Sequence, residues 1–168
     1  MAEVEAYEQF AAAVPAVAPV AVKSGWNADV IAEGKPSKQF SDNILDNQGW
    51  VFYTEDVQKE GALCGSNGIV TTAKGTQFQL ADFSKKNALI LKSNYSAGTL
   101  EFENPEKCEE LYFLVVSANG PASLVTTAYY TDNSHTDNER YNPQDWYSNY
   151  PSGNEAVYGL GRIITQSA

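Results

Sequence analysis

The sequence predicts an all-β domain, a sandwich or jelly roll of about eight or nine antiparallel strands. Three observations predict it. Short apolar or alternating runs recur from Ser24 onward, separated by Gly, Asn, Asp and Pro. In "GTLEFE" (98–103) Leu100 and Phe102 point one way while Thr99, Glu101 and Glu103 point the other, the period-two signature of a strand with one buried face. No helical segment lies between the runs.

The elements follow in order. Residues 3–13 read as one short helix, with Val4, Tyr7, Phe10 and Ala11 on one face, and Pro15 stops it. "VPAVAPVAV" (14–22) is an extended linker or an edge strand, because each proline removes a ladder donor. The expected division is therefore 1–22, helix and linker, and 23–168, the β domain. Strands are expected at "ADVIA" (28–32), "WVFYT" (50–54), "GIVTT" (68–72), "TQFQL" (76–80), "NALIL" (87–91), "GTLEFE", "ELYFLVVSA" (110–118), "SLVTTAYYT" (123–131) and "AVYGLGRI" (156–163). "LYFLVV" is apolar throughout and suits a central strand buried on both faces.

A chain of 168 residues is long enough to bury a core without a metal or a disulfide. Its net charge of −10 would repel a phosphate backbone, so nucleic acid is excluded as a partner. No run of about 18 apolar residues is present, so no membrane insertion by a helix is expected. The first ten residues carry three glutamates and no Lys or Arg, which is not a signal peptide. An exported form is expected to have lost its leader already. Cys64 and Cys108 form no CxxC pair. Their spacing leaves open a bridge or two separate thiols.

Catalytic motifs are missing. The single histidine, His135, lies in the polar, turn-rich "YTDNSHTDNER", and no nucleophile elbow or phosphate loop accompanies it. The sequence thus argues against an enzyme. Two Asx-rich stretches could offer oxygens to a calcium ion: Asp42, Asn43, Asp46 and Asn47 in one, Asp132, Asn133, Asp137, Asn138 and Glu139 in the other. Turn formation is the competing use of the same residues.

The aromatic segment "YNPQDWYSNYPSGN" (141–154) alternates rings with amides and a carboxylate. A sugar's C–H face packs on a flat ring while polar neighbours hydrogen-bond its hydroxyls. Tyr141, Tyr147 and Tyr150, with Asn142, Asp145 and Asn149, are the ligand-facing candidates. Trp26, Trp50 and Trp146 are assigned to the core, since large rings dominate core energetics. Arg162, in "GLGRI", reads either as a hydroxyl-binding guanidinium or as a partner of Asp145 or Asp29 across the fold. Gly159 and Gly161 beside it allow close backbone approach.

In their order, "SGWNADVIAEGKPS", "NALIL", "GTLEFENP", "LYFLVVSANGPASLVTTAYYTD", "DWY" and "AVYGLGRI" resemble a jelly-roll domain of secreted Bacteroidetes proteins, of the galactose-binding-like, carbohydrate-binding-module type. The resemblance covers about residues 22–163. It implies a secreted or cell-surface, non-catalytic accessory module, often with a structural calcium, and no defined ligand; with the ring-rich 141–154 segment, a glycan is the expected partner. In that pattern a further strand follows "GLGRI"; either this sequence closes its sandwich without it, or the sequence is a piece of a longer chain. An uncovered sheet edge would invite pairing, with the N-terminal segment or a neighbouring molecule to fill it. A structural, adhesin or protein-interaction module is the alternative reading.

Overall fold

The computed structural model describes residues 18–34, 45–46, 48–92, 96–105, 107–138, 140–146, 157 and 159–164. Over these residues the chain is all-β and contains no helix. The helix expected at 3–13 lies outside the described residues. None of the described helices is long and apolar enough to cross a membrane, there being none at all.

Among the described residues nine short strands make four small sheets. β1 (Val22–Ser24) pairs antiparallel with β6 (Glu101–Phe102), so the end of the Ala/Pro/Val stretch is an edge strand rather than pure linker. Lys23 Nζ meets Glu101 Oε1 at 2.7 Å on the exposed side of this pair. The alternation read in "GTLEFE" holds: Leu100 and Phe102 are half-buried, and Thr99, Glu101 and Glu103 are exposed. β4 (Ile69–Thr71) and β5 (Gln77–Gln79) form a hairpin. β7 (Thr127–Tyr129) and β8 (His135–Asp137) form another.

The core is built on the three-stranded sheet, in the order β2 (Ile31–Ala32), β3 (Trp50–Tyr53), β9 (Ile163–Ile164). Successive side chains of β3 enter opposite faces. Phe52 packs with Ala28, Val30 and Ile31, while Val51 and Tyr53 pack with Ala32. Val51 is fully buried and Tyr53 nearly so. β3 is therefore the strand buried on both faces.

Three expectations are corrected. The pairing is not wholly antiparallel: β2 and β3 run parallel, which the long 33–49 connection allows, since parallel neighbours need a crossover rather than a tight turn. "LYFLVV" forms no strand, and Tyr112, Phe113, Leu114, Val115 and Val116 are all exposed. An apolar run becomes a buried strand only where neighbours pair its backbone, and none of the described residues does so here. "NALIL" contributes a single bridge, Ala88 to Ala28, instead of a strand.

Conversely, the stretch around His135 is a strand and not a loop. Asp132 Oδ1 accepts the Ser134 amide at 2.9 Å and its hydroxyl at 2.6 Å, and Asn133 takes a φ of 67°. That left-handed position, tolerated by Asn, closes the hairpin.

Cys64 is buried and Cys108 exposed, and both are free thiols. Burial, with the Glu55 charge adding, pushes the Cys64 thiol up to about 11.

Candidate ligand site at the arginine–tryptophan cluster

Arg162 immediately precedes β9, and β9 lies antiparallel to β3 with Trp50 opposite Ile164. That register brings the Arg162 guanidinium carbon to 5.2 Å from the centre of the Trp50 ring. The same carbon lies 5.4 Å from the centre of the Trp146 ring. The guanidinium thus sits against two indoles that are distant in sequence. Each such contact is worth about 0.5–2 kcal/mol, depending on how far it is desolvated. Trp50, Trp146 and Arg162 are all half-buried, so the cluster reaches the surface.

Polar side chains fix the two indoles. Asp46 is buried, and its Oδ1 accepts the Gln48 amide at 2.8 Å and the Trp50 amide at 3.4 Å. This Asx turn delivers the chain into β3 with Trp50 at its start. Trp146 is held by a bridge between Asp145 and Ser117, in which the Trp146 amide donates to Ser117 O at 2.8 Å. Asp145 Oδ2 accepts the Gly120 amide, and the Ser117 hydroxyl donates to Gly120 O at 2.5 Å. Asn119 Nδ2 then donates to Asp46 O at 3.3 Å, tying the Trp146 support to the Trp50 turn. Beneath, the Trp146 ring meets Phe52 edge to face at 5.2 Å. The cluster is therefore anchored in the core from below.

Gly161 has a local reason. A Cβ there would overlap the Tyr53 hydroxyl, and the Gly161 amide donates to Gly61 O at 2.7 Å. The close approach expected beside Arg162 is thus present at Gly161.

Of the predicted ligand residues, Arg162 and Asp145 belong to this cluster, Arg162 as a ring partner and Asp145 as a support. Tyr141 bridges Leu124 by a reciprocal pair of backbone hydrogen bonds at 3.0 and 2.9 Å. Its hydroxyl is buried without a hydrogen-bond partner, and burial raises its pKa. Asn142 is exposed. Tyr147, Asn149 and Tyr150 lie outside the described residues.

Of the predicted metal ligands, Asp46 builds the turn before β3, and Asp132 builds the β7–β8 turn. The Ser134 hydroxyl and amide hold the Asp132 carboxyl below its ordinary value. Asp137 Oδ1 accepts the Thr127 hydroxyl at 2.6 Å across the hairpin. Asp42 lies outside the described residues. Among the described residues no three His, Cys, Asp or Glu side chains converge as a metal site.

Sequence reasoning missed two things. It assigned Trp50 to the core, whereas Trp50 faces Arg162 at the surface end of β3. It also missed an acidic cleft of about 430 Å³ lined by Glu33, Asp56, Asp82, Asn67, Gln79 and Phe83, among others. Burial pushes the Glu33 carboxyl up, and the charges of Asp29 and Asp82 add to it. The only sequence signal for this cleft is the Asx turn of "DFS", where Asp82 Oδ1 accepts the Ser84 amide at 3.0 Å.

No family model matches this chain, and neither does any curated protein or solved structure in the comparisons made.

Chemically, the cluster pairs flat apolar faces with a planar cation whose N–H groups point outward in its own plane. A guanidinium presents five such donors in a fixed fork. Rings for a C–H face and donors for hydroxyls are what a sugar requires.

Proposed function

We propose that this protein is an exported, non-catalytic module that binds carbohydrate. In this reading the β domain is a galactose-binding-like jelly-roll sandwich, similar to those of secreted Bacteroidetes proteins. The observation that carries the reading is the Arg162 guanidinium set against both Trp50 and Trp146, beside a polar frame of Asp46, Asn119 and Asp145. A glycan is bound by stacking on the indoles and by hydrogen bonds from the guanidinium edge. The net charge of −10 favours neutral glycans over sulfated or uronic ones.

The test is a tryptophan fluorescence titration against a panel of neutral and acidic glycans, with calcium and with chelator. The expected result is a saturable change with a neutral glycan class that Arg162→Ala and Trp50→Ala abolish. A flat response across the panel, together with no retention on immobilised glycans, would refute the reading. Loss of the signal in chelator would add a calcium ion to the site.

A further inference from the structure

The run Leu111–Val116 is the least explained surface of the molecule. Five consecutive large apolar side chains, Tyr112 to Val116, are 36–54% exposed. Among the described residues no backbone hydrogen bond reaches 111–116. The run carries no charge, glycine or proline and is rich in β-branched and aromatic residues. Such a segment is a template for strand pairing.

The geometry points to a second copy of this chain as its occupant, paired antiparallel through 111–117 about a two-fold axis at Leu114. Three features select that occupant. First, the pattern is self-complementary. A two-fold at Leu114 sets Tyr112 opposite Val116 and Phe113 opposite Val115, so every aromatic ring meets a valine. Aromatic–β-branched pairs are among the favourable cross-strand pairs.

Second, the charges allow antiparallel pairing and oppose the parallel alternative. Glu109 and Glu110 flank the run on one side only, and Ser117 to Gly120 on the other side are neutral. Antiparallel pairing places Glu110 opposite Ala118 and Glu109 opposite Asn119. Parallel pairing in register would stack each glutamate on its own copy, which is destabilising.

Third, the free edge is the right one. The Ser117 amide donates to Gln144 O at 3.0 Å, and Ser117 O accepts the Trp146 amide at 2.8 Å. In an extended chain, alternate residues direct their backbone groups to opposite edges. Residues 112, 114 and 116 then face away from 144–146, which leaves that edge for the partner. The pairing is isologous, so through this edge it closes as a dimer.

The contact is a single strand pair. It is smaller than the standard interface of about 1,600 Å², so the dimer is a weak one. Two copies of charge −10 repel, so added salt strengthens the dimer. The proposal is independent of the glycan reading.

The test has two parts. Sedimentation of the full chain from about 1 to 500 µM is expected to show a monomer–dimer equilibrium that shifts toward dimer with sodium chloride. Leu114→Cys, in a Cys108→Ser background, is then oxidised. In a hydrogen-bonded antiparallel pair the two Cα atoms are about 5.5 Å apart, within disulfide reach. A covalent dimer is expected for Leu114→Cys and not for Val125→Cys, a more exposed control. Val116→Lys should abolish the dimer, and Tyr112→Glu added to it should restore it, because the two positions face each other across the axis. These positions are exposed, and far-UV circular dichroism checks that each variant is folded. A monomer at every concentration and salt would overturn the proposal. So would a dimer indifferent to Val116→Lys, or one that Leu114→Cys fails to cross-link.

Discussion

Two apolar runs of nearly the same chemistry have opposite fates in this molecule. "WVFY" at 50–53 is the heart of the core, with Val51 fully buried. "LYFLVV" at 111–116 is longer and more apolar, yet its side chains from Tyr112 onward are exposed. What separates them is the backbone on either side. β3 has β2 along one edge and β9 along the other, with the Phe52 amide on Val30 O and the Thr54 amide on Ala32 O, both at 3.0 Å. Among the described residues no strand pairs with either edge of 111–116. Hydrophobicity makes burial favourable, but the backbone donors must also be satisfied, and the partners that do this come from remote sequence.

The sharpest way to break this contrast is to truncate one ring from each run. Phe52→Ala should cost about 3–5 kcal/mol, because it removes a core ring and the edge contact to Trp146. Phe113→Ala should change stability by less than about 0.5 kcal/mol in the dilute protein. Denaturant unfolding of the two variants side by side measures the difference.

A smaller loss is expected where β9 approaches β3. Gly161→Ala would drive a methyl group into the Tyr53 hydroxyl, costing about 1–3 kcal/mol. Tyr53→Phe removes the hydrogen bond from that hydroxyl to Glu60 O, 2.6 Å long, and should cost about 1 kcal/mol. Thermal melts of both variants check the order.

Two hydroxyls should show the opposite sign. Thr54 Oγ1, at the buried end of β3, and Tyr141 Oη are buried without partners. Thr54→Val and Tyr141→Phe should each be neutral or stabilising by up to about 1 kcal/mol, since an unsatisfied group is removed. A loss of more than that from Tyr141→Phe would show that its hydroxyl has a partner.

At neutral pH the smallest effect concerns the thiols. Burial favours the neutral form of Cys64, so folding holds its proton more tightly. That contribution is complete below the ordinary thiol value and is lost as pH rises from about 9 to about 11. Stability should fall over that window, and Cys64→Ala should flatten the fall. At neutral pH a thiol reagent should label Cys108 quickly and Cys64 only on unfolding.

Much of the fold was legible because its signals are local. "TQFQL" alternates and is β5; "WVFYT" is β3; "GTLEFE" buries the face its pattern assigns. The failures share a cause. "LYFLVV" was placed at the centre of a sheet because apolar patterning reports what burial would favour, and not whether a partner strand exists. β8 was missed because "HTD" is polar and wholly exposed, and only the Asp132–Ser134 turn and the Thr127–Asp137 hydrogen bond make it a strand. At the candidate site Arg162 and Asp145 were legible as residues of interest. Their arrangement was not, since Trp50 joins them only through the β3–β9 register.

Pairing, and not apolarity, decides which run is buried. Amide hydrogen exchange on the full chain, at about 5 µM and at about 500 µM, tests it most directly. The amides of Val51 to Thr54 should be protected equally at both concentrations. Those of Tyr112, Leu114 and Val116 should exchange freely when dilute and become protected when concentrated. Strong protection of 112–116 in the dilute protein, or free exchange of 51–54, would contradict it.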